Sequence, residues 1–372
     1  MGAHQIPGQL IEQMLEARGW SKRVLALVLD IDESVLSKVI SGKRDVDASL
    51  AIALAEVFET EPSEFLQLQQ AYDLAKARLI TKPDPRRALR ARLFGGLPVA
   101  DMIRRGWLPV EDAKDVVGVE AALAQFFGAP SAGEIHVPSH AAKKTDVGKD
   151  TTFVQAAWLT RVRSIAEEML VPRFSANSAR EALSLLKPLL SAAEEARHAP
   201  RILAEAGIRF LLVEALPGAK IDGVCTWIED SPVIALSLRH DRIDNFWFVL
   251  RHEIEHAICG HGKSETIVDV ELDKPDADAS PDEKVANAAA AEFCVSQSSL
   301  HGFIARKSPY FAERDIIGFA KTHQIHPGLV AGQLQYLTKR YDRFRAHQVK
   351  IRSIVAPSAT VDGWGDVAPV GY

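Results

Sequence analysis

The motif His252-Glu253-Ile254-Glu255-His256 limits what this chain can fold into more than any other part of the sequence. Because four residues turn an α-helix through about 400°, the two histidines lie on one face, one turn apart. Residues 244–250, just before the motif, are mostly apolar and aromatic, so we expect a buried helix, and buried histidine and glutamate side chains need polar partners. The motif therefore predicts two imidazoles that meet one metal ion, with Zn²⁺ as the cofactor.

Glu253 stands next to the first predicted ligand, where a carboxylate can act as general base on a water molecule but is poorly placed as a ligand. The longer metzincin motif is excluded, because it requires Gly at position 259 and His at position 262, which here are Cys259 and Gly262. For Cys259 we favour a small buried apolar role over that of an inhibitory thiolate ligand. Three histidines are open as the donor that stabilises the oxyanion: His240, His261 and His326.

A third ligand has to come from farther along the chain. The favoured candidate is Glu283, near the start of the alanine-rich segment 282–293, whose small side chains let a second helix pack closely on the first. Asn287, one turn after Glu283, is the candidate that accepts a hydrogen bond from the remote nitrogen of a ligand histidine. Three alternatives for the third ligand rank lower: Asp282, Glu292 and His261.

Composition limits the class of protein. With 372 residues the chain is long enough for two or three domains, and 25% charged and 47% apolar residues are typical of globular proteins. The three cysteines are too few and too scattered for a disulfide framework, which favours a reducing compartment. We expect neither a secretory leader nor a membrane-spanning stretch, so the predicted location is the cytoplasm, with no membrane partner.

Periodicity divides the chain into four predicted regions. Residues 1–80 are expected to form five short helices, two of them joined by a tight turn as in a helix-turn-helix domain. Residues 81–150 are predicted as a helical connector and linker, 151–345 as the metal-binding domain and 346–372 as a C-terminal tail. The predicted fold class is α+β and mostly helical, with a small β-sheet in the metal-binding domain. The elements expected there are helices at 153–170 and 176–196 and strands at 208–213, 224–228 and 233–238.

The predicted helix-turn-helix domain is acidic, which is unusual for a protein that binds DNA. The whole chain has a formal net charge of −5, and residues 1–75 hold six basic against twelve acidic side chains, a net charge of −6. Asp32 and Glu33 open the presumed recognition helix, where repressors place groups that face phosphates. DNA binding therefore stays open, with a packing or dimerisation module as the alternative. The candidate DNA contacts are Lys38, Lys43 and Arg44.

Short stretches on both sides of the metal motif extend the pattern: Ser237-Leu238-Arg239 and 241–247 precede it, and Ile325-His326-Pro327-Gly328 follows it. Together with the motif and Glu283, they make residues 203–336 similar to the ImmA/IrrE family of metallopeptidases. The resemblance implies a zincin-like fold, zinc bound by His252, His256 and Glu283, and Glu253 as general base. Members of this family typically cleave helix-turn-helix repressors and so switch on mobile-element, defence or stress genes.

The stretches Ile6-Pro7-Gly8, Ser41-Gly42-Lys43-Arg44 and 68–74 resemble the DNA-binding domain of HigA-type antitoxins, a branch of the XRE repressors. The sequence departs from that family at Asp30, where the turn usually holds Gly, and at the acidic pair Asp32-Glu33. Fusions of a peptidase to such a domain resemble antitoxins of toxin-antitoxin systems or regulators of transcription.

Three functions remain open. The favoured one is a cytoplasmic zinc metalloendopeptidase with a regulatory helix-turn-helix module, which cleaves a repressor or another regulatory protein. The second is a transcriptional regulator or antitoxin whose zincin domain is a sensor or a partner-binding module, and the third is a scaffold that holds a toxin. Glu253 favours the first, because a protein that only binds has no need of a general base. Whether the chain forms a homodimer is left open.

Residues 264–282, between the two predicted ligand helices, carry seven carboxylates against the single Lys274. They are predicted to form an acidic, irregular segment at the rim of the cleft that selects basic or flexible substrates. A solvated connector is the alternative. We expect the substrate to add as an extended strand to an exposed sheet edge at 233–238.

A first prediction concerns DNA. We expect weak or absent binding by residues 1–75 alone, because their net charge of −6 repels a duplex. Any repressor-like binding should fall steeply with salt and should need Lys38, Lys43 or Arg44. Fluorescence anisotropy with labelled duplexes over a salt series measures both properties, and a nanomolar specific complex at physiological salt would contradict the prediction.

Overall fold

Five short helices around one small core form most of the first unit of the structure, residues 1–88. The computed structural model describes residues 6–84, 86–135, 142–144, 152–263, 266–270 and 280–371, with only the backbone of 142–144 and 266–270. The predicted five-helix arrangement is confirmed, and each helix contributes a fully buried side chain: Ile11, Leu25, Leu36, Leu54 and Phe65. The helices are α1 (Pro7–Arg18), α2 (Lys22–Val28), α3 (Glu33–Ile40), α4 (Ala48–Phe58) and α5 (Pro62–Ile80).

Three local features set how α1, α2 and α3 are arranged. Ser21 caps α2, since its Oγ accepts a hydrogen bond from the backbone N–H of Val24 at 3.3 Å. Asp30 has a φ of +53°, a left-handed conformation that Asp tolerates better than most residues. Gly8 of α1 lies so close to α3 that an added Cβ would stand 1.9 Å from the carbonyl oxygen of Ile40. The Asp30 turn and this contact fix α3 against α1 and α2.

The rest of the chain adds twelve described helices and a mixed sheet, which confirms the predicted α+β, mostly helical fold class. The helices are α6 (Arg87–Gly96), α7 (Val99–Arg104), α8 (Val116–Phe126), α9 (Phe153–Glu167), α10 (Ala176–Leu186), α11 (Ala199–Glu205), α12 (Ile243–Cys259), α13 (Pro281–Cys294), α14 (Gln297–Lys307), α15 (Glu313–Thr322), α16 (Pro327–Thr338) and α17 (Arg352–Val355). The strands are β1 (Ala142–Lys144), β2 (Arg209–Val213), β3 (Ile221–Ile228), β4 (Ser231–Leu236), β5 (Thr266–Val270) and β6 (Thr360–Asp362).

No helix among the described residues is both long enough and apolar enough to span a lipid bilayer.

The six described strands lie in the order β1-β5-β3-β4-β2-β6. β3 pairs antiparallel with β4 and β5, whereas β2 pairs in parallel with β4 and β6, and β1 pairs in parallel with β5. The expectation that residues 233–238 form an exposed edge is therefore wrong. β4 has both sides occupied, because the short strand β2 lies beside it as well as its hairpin partner β3.

Alternate side chains along the sheet point to opposite faces, and each face packs against its own layer of helices. Phe210 and Leu212 of β2 face one core with Trp247 of α12, whereas Leu211 and Val213 face the other. This alternation follows from the two-residue period of a strand. The second core also contains buried side chains of the region predicted as a connector, from α6, α7 and α8: Leu93, Met102 and Leu123. Residues 89–135 therefore cover one face of the sheet.

Two predicted elements differ from the structure. The helix expected at 176–196 stops at Leu186 and continues as 3₁₀ turns, because Pro188 has no N–H to donate and its ring clashes with a continuing α-helix. The segment 264–282 was expected to be irregular, yet Thr266–Val270 forms β5 between β1 and β3. Residues 264–265 and 271–279 of that segment lie outside the described residues.

A buried ion pair ties the C-terminal residues into the second unit. Arg161 of α9 and Asp362 of β6 are 2% and 1% exposed, and an Nη of Arg161 lies 2.7 Å from Oδ1 of Asp362. Asp362 also accepts hydrogen bonds from Nε1 of Trp107 at 2.6 Å and from the backbone N–H of Ala368 at 2.9 Å. The boundary at residue 345 stays a proposal, while the chain beyond it contributes β6 to the sheet.

We predict that Asp362→Ala lowers the free energy of unfolding by about 3–5 kcal/mol, because it leaves the Arg161 guanidinium buried without its counter-ion. Glu167→Ala is the control. Glu167 pairs with Arg163, and the two side chains are 49% and 63% exposed, so this pair should contribute less than about 1 kcal/mol. Urea unfolding of the full chain, followed by circular dichroism, measures both. Equal losses in the two variants would show that β6 is not part of the cooperative unit.

Candidate metal centre

Two helices, α12 and α13, carry the residues that the sequence singles out, and they pack directly on each other. α12 is enclosed along most of its length, with Phe246, Trp247 and Leu250 fully buried. α13 begins behind Ser280, whose Oγ accepts a hydrogen bond from the backbone N–H of Glu283 at 3.3 Å. Small side chains on α13 allow the close approach, since the alanines at 286 and 290 are completely buried.

The structure brings His252, His256 and Glu283 together in the interior. The Nε2 atoms of His252 and His256 are 3.0 Å apart. Oε2 of Glu283 lies 3.2 Å from Nε2 of His252, and Oε1 lies 3.4 Å from Nε2 of His256. The two imidazoles are fully buried and the Glu283 side chain is 4% exposed. Three possible ligand atoms therefore converge on one point between the helices.

This donor set fits a zinc ion. Ligand atoms at the usual Zn–N and Zn–O distances of about 2.0–2.1 Å stand roughly 3.3–3.4 Å apart in a tetrahedron. The 3.0 Å between the two Nε2 atoms and the 3.2 Å from Nε2 of His252 to Oε2 of Glu283 are close to that value. Oε2 of Glu283 is buried and accepts no hydrogen bond in the described part of the chain. A buried carboxylate oxygen in that state is costly unless a cation compensates it. Two neutral imidazoles and one carboxylate are also the chemistry of catalytic zinc sites.

Glu253 is completely buried and lies against the backbone of β3. At Gly223 of β3, an added Cβ would stand 2.3 Å from Oε1 of Glu253 and 2.7 Å from Cγ1 of Val249. Only a residue without a side chain leaves room for this carboxylate. Sequence reasoning missed Gly223, although a glycine inside a strand is a signal of close approach by another group.

His261 contacts His256 from the side away from the cluster. Its Nδ1 lies 3.0 Å from Nδ1 of His256, and its Nε2 lies 3.6 Å from Oδ1 of Asp282. At His256, the hydrogen-bond partner of the remote ring nitrogen is therefore His261 and not the predicted Asn287. Asn287 is half-buried on α13, and its role stays a prediction.

Of the alternative ligands, neither Asp282 nor Glu292 belongs to the cluster. The Asp282 side chain is 58% exposed and faces His261, while Glu292 accepts a hydrogen bond from the backbone N–H of Gln297 at 2.8 Å.

The expectation of a buried Cys259 is wrong, because this residue is exposed at the end of α12. Its Sγ lies 3.9 Å from Oε1 of Glu255 and contacts none of the three clustered side chains. Partial burial, together with the carboxylates of Glu255 and Asp282, raises the pKa of the Cys259 thiol. Because Cys259 is exposed and lies outside the cluster of His252, His256 and Glu283, it is not placed as an inhibitory ligand.

The candidate oxyanion donors differ in their surroundings. His326 caps α16, since its Nδ1 accepts a hydrogen bond from the backbone N–H of Gly328 at 3.0 Å, and burial lowers its pKa. His261 faces His256 as described. His240 follows β4, and its Nε2 is buried without a hydrogen bond among the described residues. His240 therefore stays open as a donor.

The three candidate DNA contacts cluster at the end of α3. Lys38 lies in the last turn of the helix, and the backbone N–H groups of Lys43 and Arg44 both donate to its carbonyl oxygen, at 2.8 and 3.1 Å. All three side chains are exposed, as are Asp32 and Glu33 at the other end of the helix. The helix thus presents a basic end and an acidic end to solvent.

Two protein families match separate parts of the chain. Residues 11–65 match the helix-turn-helix family, and residues 204–324 match the peptidase family described as the IrrE N-terminal-like domain. The second match contains β2 to β5 and both helices of the metal cluster. The predicted combination of an XRE-type helix-turn-helix domain with an IrrE/ImmA-like domain is confirmed.

Curated relatives match about a fifth of the chain. The uncharacterized HTH-type transcriptional regulator YddM of Escherichia coli (strain K12) is 34% identical over 77 residues, which are 21% of this chain and 82% of the relative. Two proteins of Dichelobacter nodosus match 19% of the chain. Virulence-associated protein A' is 38% identical over 62% of its own length, and virulence-associated protein I is 31% identical over 67%.

We predict that Gly223→Ala destabilises the protein by about 1–3 kcal/mol, the usual cost of overpacking, because the new Cβ collides with the Glu253 carboxylate and with Val249. Gly318→Ala on α15 is the matched control. An added Cβ meets nothing within 4 Å there, so the helix should gain up to about 1 kcal/mol. Thermal and urea unfolding measure both changes, and a neutral Gly223→Ala would contradict the close packing of Glu253 on β3.

Proposed function

We propose that this chain, which belongs to the helix-turn-helix regulators and carries an IrrE N-terminal-like peptidase domain, is a zinc-dependent endopeptidase that cleaves a regulatory protein. The observation that carries the proposal is the convergence of His252, His256 and Glu283 in the interior, with the side chain of Glu253, the residue after His252, also completely buried.

In the proposed site, His252 and His256 would hold zinc through their Nε2 atoms and Glu283 through its carboxylate. When bound, zinc supplies Lewis-acid activation of a water molecule and of the peptide carbonyl. Glu253 accepts the proton of the attacking water on its carboxylate and then passes it to the nitrogen of the leaving amine. The backbone of β3 at Gly223 lies against that carboxylate, since an added Cβ there would stand 2.3 Å from Oε1 of Glu253.

Glu253 also favours an enzyme over a domain that only senses or holds a partner. The Glu253 side chain is completely buried and is not one of the three clustered ligands, and a carboxylate can take the proton of a water molecule, which supports a role in proton transfer. We keep the regulator with little peptidase activity as the second candidate, because the chain resembles a protein named as a transcriptional regulator.

For the substrate we propose a helix-turn-helix repressor or another regulatory protein of a toxin-antitoxin, mobile-element, defence or stress response. The helix-turn-helix domain at residues 11–65 supports this class, since it offers a surface that meets either DNA or another regulator. The exposed Lys38, Lys43 and Arg44 are the proposed DNA contacts, and the acidic start of α3 limits that interaction to weak binding.

The proposal predicts that Glu253→Gln retains zinc but lowers the cleavage rate by about 10²–10⁴-fold, since the variant removes the base and keeps the ligands. The full chain, loaded with one equivalent of zinc, is incubated with purified XRE-type repressors from one genome. New peptide termini are identified by mass spectrometry, and zinc content is measured by elemental analysis.

Two further variants separate the possible outcomes. His252→Ala should lose both zinc and cleavage, and His301→Ala, which changes an exposed histidine on α14, should lose neither. Cleavage that persists in Glu253→Gln would contradict the assigned base. Zinc binding without cleavage of any repressor would favour the regulator with a sensing domain.

A further inference from the structure

The end of α12 brings the His261 ring to the Nδ1 edge of His256. Gly260 stops the helix with a φ of +72° and donates its N–H to the carbonyl of Ala257 at 3.2 Å, while the N–H of His261 donates to the carbonyl of His256 at 2.9 Å. This is a Schellman motif, in which the residue after the left-handed position folds back on the helix. An apolar pair usually accompanies such a turn, whereas here two imidazole rings meet, with their centroids 5.3 Å apart.

A second set of contacts fixes His261 to the sheet. Nε1 of Trp227 on β3 donates to the carbonyl oxygen of His261 at 2.7 Å. The next residue, Gly262, has a φ of +82° and lies so close to β3 that an added Cβ would stand 2.6 Å from the carbonyl oxygen of Cys225. The backbone of His261 is therefore held from both the helix and the sheet, and its ring is 23% exposed.

The nitrogen atoms define a directed sequence of hydrogen bonds. If His256 presents the lone pair of Nε2 to a metal, its proton stays on Nδ1, which donates to Nδ1 of His261 at 3.0 Å. His261 must then carry its own proton on Nε2, and that atom faces the carboxylate of Asp282 at 3.6 Å. Asp282 directly precedes Glu283 on α13, so the sequence of contacts starts at one ligand and ends beside another.

We propose that His261 is a positioning residue for the metal site: its Nδ1 accepts a hydrogen bond from the Nδ1–H of His256 and so selects the tautomer and ring orientation in which Nε2 of His256 binds the ion. This inference rests on the proposed function only for the presence of the metal. Asp282 orients His261 in turn, and its contribution is smaller because its side chain is 58% exposed.

Two substitutions separate the hydrogen bond from simple packing. His261→Asn keeps an acceptor, since Oδ1 of Asn occupies the position of Nδ1 in His, but it removes most of the ring. His261→Leu keeps the volume and the apolar contact usual in a Schellman motif but has no acceptor. His301→Leu, on an exposed face of α14, is the matched control. All are made in the full chain.

The experiment measures zinc affinity by competition with a chromophoric chelator, and the visible spectrum after loading with Co²⁺. We expect His261→Leu to bind zinc about 10–100-fold more weakly than the wild type and to change the Co²⁺ spectrum. His261→Asn should stay within about threefold of the wild type, and His301→Leu should match it. If His261 only filled space, the order of zinc affinities would be reversed, and His261→Asn would bind zinc more weakly than His261→Leu.

Two results would overturn the inference, and they differ in what they say of the proposed function. Equal affinities and spectra in wild type, His261→Leu and His261→Asn would remove the positioning role and leave the zinc site in place. A wild-type chain that binds no stoichiometric zinc would remove the site itself, and the inference with it.

Discussion

A carboxylate buried between two imidazoles is the interaction on which the architecture of the IrrE-like domain depends. Glu283 can reach His252 and His256 only because α13 packs closely on α12 through small side chains, with Ala286 and Ala290 completely enclosed. The Ser280 cap sets where α13 begins and thus which side chain of its first turn faces inward. Burial removes the water that would hydrate these three groups, and a cation between them would compensate for that loss, so the packing favours metal binding.

The sheet supports this centre from one side and is itself covered on both faces. One core contains α12, and the other contains side chains from α6 to α9, so the strands beside the centre are shielded from water in both directions. The buried pair of Arg161 and Asp362 adds the C-terminal strand β6 to the same unit. The same sheet places Gly223 of β3 against the Glu253 carboxylate.

Much of this centre could be predicted from the sequence, because its geometry is local. The spacing of His252 and His256 requires only helical periodicity, and Glu283 required the further assumption that an alanine-rich helix packs on the first. The order of the strands could not be predicted, because it depends on contacts between segments that are far apart in the sequence. The parallel contact of β2 with β4, which leaves β4 internal, joins segments whose order in the sheet is not written in their periodicity.

The same distinction explains the smaller errors. Cys259 has the helical spacing of a residue near the ligand face, but α12 ends there and leaves it exposed. His261 lies outside the helix, so helical periodicity could not assign its contact with His256, whereas the Gly260-His261 pair at a helix end was a usable signal. Gly223 carried a similar signal in β3.

X-ray absorption at the zinc edge of the purified full chain tests the central claim most directly. The account predicts one zinc per chain with four nitrogen or oxygen neighbours at about 2.0–2.2 Å, including the multiple-scattering signature of two imidazoles. A sulfur neighbour at about 2.3 Å, a shell with a single imidazole, or a chain that retains no zinc would contradict it.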